Sequence, residues 1–192
     1  MPIIELHLLE GYGAEDKRRL GEALTDTVRM VIPASPDAIT VMIHEMAKEN
    51  YFRGRVARAP APALPDPATI VGDYLAAMER RDLDAARSML GAGFVMQFPG
   101  ASPMTQLEEL IEWSKPRYRF VRKTYERFDA LPDAGQNGGG ASIVYCFGTL
   151  AGEWLDGSAF SGIRFIDRFG ISGGKIVRQD VWNDMAETKA RT

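Results

Sequence analysis

The segment Ala59-Pro60-Ala61-Pro62-Ala63-Leu64-Pro65-Asp66-Pro67 holds four prolines in eight residues. Neither a helix interior nor a sheet interior tolerates that density, because proline lacks an amide donor and fixes φ. Such a run is an extended, semi-rigid spacer. It divides the 192-residue chain into about 58 residues before it and about 125 after it, each enough for one compact unit. The expected division is therefore 1–58, a linker at 59–66, and 67–192. With 45% hydrophobic and 26% charged residues, both parts can bury apolar surface, and global disorder is excluded.

The first part reads as strand, helix, strand. Ile3 to Leu9 is rich in Ile and Leu, and Gly11-Tyr12-Gly13 is a turn. Glu15 and Asp16 suit the first turn of a helix. Leu20, Leu24, Val28 and Val31 follow at helical spacing, and Pro33 and Pro36 stop that helix. Ile39 to His44 is the second strand. A crossover helix between two strands implies a parallel pair with a right-handed connection. So small a unit leaves one sheet face bare, so it is expected to associate with copies of itself.

The second part opens with a helix through Ile70, Tyr74, Ala77 and Met78, and Asp82 is a candidate cap for another beginning near Asp84. Phe94 to Phe98 is a short strand stopped by Pro99-Gly100. Ser102 to Trp113 reads as a helix with Leu107, Leu110 and Ile111 as its stripe. Four strand-like runs follow: Tyr118–Phe128, Ser142–Trp154, Ser158–Phe169 and Lys175–Trp182. Asp133 to Gly140 reads as a long hairpin loop, and Gly173-Gly174 as a tight one. Helices first and strands afterwards predict an α+β unit, here a cone-shaped, curved antiparallel sheet with helices on its concave face, a cystatin-like α+β roll. The mouth of such a cone is a natural ligand site.

Net charge of −3 and a pI near 5.5 exclude the broad basic field of a general nucleic-acid binder. Arg117, Arg119, Arg122 and Lys123 alternate with Tyr118, Phe120 and Tyr125, which reads most simply as a half-buried strand with a solvated face. No apolar run approaches the roughly 18 residues of a membrane span, and the amino terminus has neither the basic nor the apolar region of a secretory signal. A single cysteine, Cys146, cannot form an intrachain disulfide and fits a reducing, cytoplasmic setting. Lying in the apolar run Ile143–Phe147 with no histidine close in sequence, it reads as a small buried hydrophobe. His7 and His44 lie on different strands without metal-ligand spacing, so no metal and no cofactor are expected.

Pro2 is the strongest candidate for chemistry. Met1 before a small residue is normally removed, which exposes a secondary amine. In an apolar, electropositive site the charged form of that amine is disfavoured, so it can be neutral near pH 7 and take a proton beside a carbonyl. Pro2-Ile3-Ile4-Glu5-Leu6-His7-Leu8-Leu9-Glu10-Gly11, the following helix, and Glu45-Met46-Ala47-Lys48-Glu49-Asn50-Tyr51 resemble the 4-oxalocrotonate tautomerase family over about 55 residues. The resemblance implies a β-α-β protomer assembled as a trimer or as a hexamer, a trimer of dimers, with Pro2 as general base or acid in keto–enol proton transfer on a small carbonyl or enol acid; a dimer is the assembly expected of the second part. It places the aromatic that closes the pocket at Tyr51. Family members carry arginines where this chain has Tyr12 and Thr40. Losing both removes charge-assisted hydrogen bonds worth about 1.5–3 kcal/mol each, which disfavours a dicarboxylate. Arg53 or Arg55 from a neighbouring protomer is a candidate replacement, and a solvated basic tail is the simpler reading.

Residues 67 to 186 resemble the nuclear transport factor 2-like superfamily, which includes ketosteroid isomerases and SnoaL-like cyclases. The likeness is carried by Asp73 to Met78, Arg81-Asp82-Leu83-Asp84, Phe98-Pro99-Gly100, Gly174-Lys175-Ile176 and Val181-Trp182-Asn183-Asp184. It implies a hydrophobic-ligand pocket with Tyr74 as an oxyanion-hole donor and Trp182 in the lining. Phe98 stands where the isomerases keep their catalytic aspartate, and a phenyl ring moves no proton. The remaining acids are Asp167 and Asp184. An inward Asp167 would mark a site, whereas a rim ion pair with Arg164 or Arg168 is the simpler expectation; Asp184 is expected at the pocket mouth or as a cap. Three readings therefore stand: Pro2-dependent tautomerisation beside a ligand-binding domain, a binding protein with both sites degenerate, or isomerase, cyclase or dehydratase activity in the second part.

Overall fold

In the computed structural model, which describes residues 1–133 and 140–190, the chain forms two compact units, Met1–Ala63 and Leu64–Thr192. Most of the loop read at Asp133 to Gly140, residues 134–139, lies outside the described residues. No helix among those described is long and apolar enough to cross a membrane.

The first unit is built on two seven-residue strands, β1 (Ile3–Leu9) and β2 (Thr40–Met46), joined by helix α1 (Ala14–Arg29). They pair in parallel from Ile3 opposite Thr40 to Leu9 opposite Met46. The amide of Gly13 donates to the Asp16 carboxylate at 3.1 Å and fixes the start of α1. Its exposed face is laced by Arg18 between Glu15 and Glu22 and by Arg29 with Asp26. The helix ends at Arg29, so Val31, expected on its stripe, is 83% exposed instead. Two short strands, β3 (Phe52–Arg53) and β4 (Val56–Ala57), close a hairpin over Gly54 and Arg55, both at positive φ, as a two-residue turn of this kind requires.

Alternate residues of β1 point to opposite faces. Ile4 and Leu6, with Val41 and Ile43 opposite them, are half-buried. The other face carries Ile3, 62% exposed, and Met42. No residue of the first unit is buried within a single chain.

The second unit has a core of its own. Helix α2 (Pro67–Glu79) starts with the Asp66 carboxylate accepting from the Thr69 amide at 2.8 Å, and Pro67 occupies the first turn, where no amide is needed. It lays Val71, Tyr74, Leu75 and Met78 into the core. Helix α3 (Leu83–Ser88) is capped by Asp82, as expected from the sequence. Then come β5 (Leu90–Gln97), α4 (Leu107–Ser114), β6 (Tyr118–Pro132), β7 (Ala141–Trp154), β8 (Ala159–Ser172), β9 (Lys175–Asn183) and the five-residue α5 (Met185–Lys189).

The sheet corrects the expected cone-shaped antiparallel roll in two ways. Its strand order is β5-β9-β8-β7-β6, an open row with β5 and β6 at its two edges. A closed sheet needs its two edges hydrogen-bonded to each other. Nor is the row antiparallel throughout, because β5 pairs β9 in parallel. That follows from the connection: β5 reaches β9 only after α4 and three long strands, a crossover rather than a hairpin. The helix expected from Ser102 also starts later, at Leu107. Met104 is held in extended backbone by two hydrogen bonds to Met96, at 2.8 and 2.9 Å, and Glu109 caps the helix from inside its first turn.

Two glycines let β6 and β7 approach at bulges. A side chain on Gly152 would run into the Phe120 carbonyl oxygen and come within 2.6 Å of the Phe160 ring. Gly152→Ala is expected to cost about 1–3 kcal/mol or more, the usual penalty for overpacking a tight core, read as a lower urea midpoint at unchanged slope.

Candidate functional site

Two places gather chemistry-bearing side chains, one in each unit. In the first, Pro2 lies at the amino end of β1, and its carbonyl accepts the Thr40 amide at 3.1 Å. Parallel pairing thus sets Thr40 beside Pro2. Tyr12 and Tyr51, both half-buried, come after the carboxyl ends of β1 and β2, and Arg53 is exposed on the hairpin just beyond. Seven residues of strand separate the two ends, on the order of 20 Å at the usual rise. One chain therefore unites Pro2 with Thr40 and holds Tyr12, Tyr51 and Arg53 at the far end of the same sheet. Arg55 is exposed in the hairpin turn. His7 and His44 face each other directly and stack at 4.9 Å between ring centroids, while Glu45 turns to α1 and pairs with Lys17 at 2.6 Å. Among the described residues no cluster of three potential metal ligands occurs.

In the second unit a cavity of about 150 Å³ opens between α2, α4 and the sheet. Tyr74 from α2, Lys123 and Tyr125 from β6, Gln179 from β9 and Phe98 just past β5 line it, with Leu75, Met78, Leu110 and Val121 as apolar wall. The Tyr74 hydroxyl donates to Gln179 Oε1 at 3.1 Å, and the Gln179 amide donates to Asp167 Oδ2 at 3.4 Å. Lys123 Nζ forms an ion pair with the same Asp167 oxygen and lies 4.4 Å from the centre of the Phe165 ring. Burial raises the Tyr74, Tyr125 and Tyr118 phenols above their ordinary range; the Asp167 charge adds to this at the first two, and Arg81 opposes it at Tyr118. The wall is thus rich in neutral hydroxyl donors at neutral pH.

The acids expected in this region stand elsewhere. Asp167 is 0% exposed and sits behind the wall; its partner is Lys123, not Arg164 or Arg168. Those two arginines pair with Asp184, at 2.7 Å, and with Asp180. Asp184 is committed to that surface pair and to the start of α5, away from the cavity. Trp182, expected in the lining, is 52% exposed. It pairs with Ile166, and both point away from the face that buries Asp167 and Val181. Lys123 and Gln179 were not among the expected site residues. Lys123 shares strand parity with Val121 and Tyr125, the one signal that would have turned it inward.

Cys146 is fully buried on the same face as Asp167, its direct neighbour across β7 and β8. Burial, with the Asp167 carboxylate adding to it, pushes the thiol up to about 12. In the native protein at pH 8 it is expected to resist a thiol-specific disulfide reagent, and to react once urea unfolds the chain.

The model of the tautomerase enzyme family matches residues 2–57. Over 51 residues the chain is 43% identical to a probable tautomerase of Halalkalibacterium halodurans, spanning 84% of that protein and 27% of this one. It is 41% identical over 51 residues to a 2-hydroxymuconate tautomerase of Bacillus subtilis, spanning 82% of that protein and 27% of this chain. An NTF2-like protein of unknown function from Burkholderia pseudomallei aligns with 64% of this chain and 93% of its own, at a TM-score of 0.50 and 17% identity.

Proposed function

We propose, because the chain belongs to the tautomerase family through residues 2–57, that Pro2 is the general base and acid of a keto–enol tautomerisation on a small carbonyl acid. The second unit, of NTF2-like fold, then holds a hydrophobic ligand in the cavity beneath α2. The observation that carries the first part is the family-level match of a segment that begins at Pro2, with Thr40 fixed beside it by the parallel pairing.

The chemistry follows from what the residues offer. Freed of Met1, the Pro2 nitrogen is a secondary amine whose neutral form takes a proton from the carbon next to a carbonyl and returns it at the other end of the enol. Thr40 and Tyr12 supply hydroxyl donors where family members supply guanidinium groups. Neutral donors hold one carboxylate and a carbonyl acceptably but hold a dicarboxylate poorly. Tyr12, Tyr51 and Arg53 cannot reach the Pro2 of their own chain, and the first unit buries no residue alone. Neighbouring copies complete both the core and the site, so the active form is a homo-oligomer.

The test is an assay of the chain proven by mass spectrometry to begin at Pro2, on the enol of phenylpyruvate and on 2-hydroxymuconate, with its mass measured by light scattering. Turnover favouring the monocarboxylate, from a species several times 21.2 kDa, is expected. A chain with free Pro2 that turns over neither compound, or a monomer that does so, overturns the reading.

A further inference from the structure

Three charged side chains line the cavity of the second unit; Glu79 and Arg81, at the end of α2, are exposed, and Lys123 alone is partly buried in the wall. Lys123 reaches it from β6, with its side chain 21% exposed. Behind the wall stands Asp167, wholly buried. Among the described residues its two donors, Lys123 and Gln179, both approach Oδ2, and both line the cavity, while Oδ1 has no hydrogen-bond partner. An ammonium carries three N–H donors. One is taken by Asp167, and the Phe165 ring accepts the charge on another side. We infer that the remaining donor capacity of Lys123 is the polar anchor of this cavity, and that the ligand it takes is an uncharged carbonyl compound with an apolar body. The inference rests on the reading of the second unit as a hydrophobic-ligand holder.

The charge balance selects the ligand class. Glu79 offsets Arg81 at the exposed end, Lys123 offsets Asp167 in the wall, and that carboxylate stands directly behind the ammonium. An anionic ligand would meet that negative charge across a few ångströms of low dielectric. A ketone oxygen accepts the ammonium proton without the repulsion. Leu75, Met78, Phe98, Leu110 and Val121 contact the rest of such a molecule. Asp167 touches no ligand in this arrangement; it is a positioning residue that holds Lys123 in place.

Two probes of nearly equal shape separate the terms: 2-acetylnaphthalene, which carries a carbonyl, and 2-ethylnaphthalene, which does not. The full chain is expected to bind the ketone about tenfold or more tightly than the hydrocarbon, the usual worth of a charge-assisted hydrogen bond. The carbonyl stretch of bound, isotope-labelled ketone is expected to move to lower frequency. Lys123→Met leaves a buried carboxylate unpaired, so the paired variant Lys123→Met with Asp167→Leu serves as the folded comparison. In it the preference should fall to within about twofold, with the hydrocarbon bound as before and the stretch returned toward its value in an apolar solvent. In Asp167→Asn, which keeps Lys123 but loosens it, the downshift should shrink. Equal binding of both probes to the wild-type chain, or a preference that survives in the double variant, overturns the role of Lys123 and leaves the hydrophobic cavity standing. An undiminished downshift in Asp167→Asn removes Asp167 as positioning residue. Binding of neither probe overturns the ligand-holding reading itself.

Discussion

Pro2→Ala is expected to lower turnover of the phenylpyruvate enol by about 10²–10⁴-fold, the span that a positioned general acid–base group supplies. Alanine keeps an amino terminus but exchanges a secondary amine, tied into a ring at the start of β1, for a freely rotating primary one. The proton then has no fixed acceptor beside Thr40. A form that keeps Met1 makes the companion variant, since Pro2 nitrogen becomes an amide with no basic lone pair. Both should lose activity together while the unfolding of the second unit is untouched. All three tryptophans, Trp113, Trp154 and Trp182, belong to that unit, so their fluorescence reads its folding separately. Activity within threefold of the wild type in both variants would sink the assignment of Pro2.

The second large effect concerns stability. Lys123→Met should destabilise the second unit by about 3–5 kcal/mol, because a fully buried carboxylate is left, among the described residues, with only the 3.4 Å contact from Gln179. Replacing both partners, Lys123→Met with Asp167→Leu, should restore stability to near the wild type or raise it by about 1–4 kcal/mol, as found when buried ion pairs yield to apolar residues. Urea titration followed by tryptophan fluorescence distinguishes the outcomes. A single variant as stable as the wild type would mean that Asp167 is not carrying an uncompensated charge in the native state.

The β-α-β order of the first unit and most strands of the second were legible, because alternation and helical spacing act over local windows that a single chain displays. What failed was whatever depends on a shift of register. Trp182 was placed inward, yet its partner across the ladder is Ile166, on the face opposite Asp167. Lys123 was grouped with Arg117, Arg119 and Arg122 as a solvated stripe. Plain alternation sets it in phase with Tyr125 and apart from Arg122, and the irregularity between Tyr118 and Phe120 separates it from Arg117 and Arg119, which share its parity in the sequence. One displaced residue in a strand exchanges inside for outside, and nothing in the sequence of β6 marks the displacement. The open order of the sheet was hidden for a related reason: β5 was visible as a strand, but its parallel partner lies some eighty residues further along the chain.

The parallel pair of the first unit keeps Pro2 and Tyr12 a strand's length apart within every chain. On the proposed assembly this has a genetic meaning. A chain defective at Pro2 and a chain defective at Tyr12 would each spoil a different half of a shared site, and mixing them would regenerate some sites with both halves intact. By the same arithmetic a chain defective at both positions damages two sites, its own and a neighbour's, so its harm spreads beyond its share of the population.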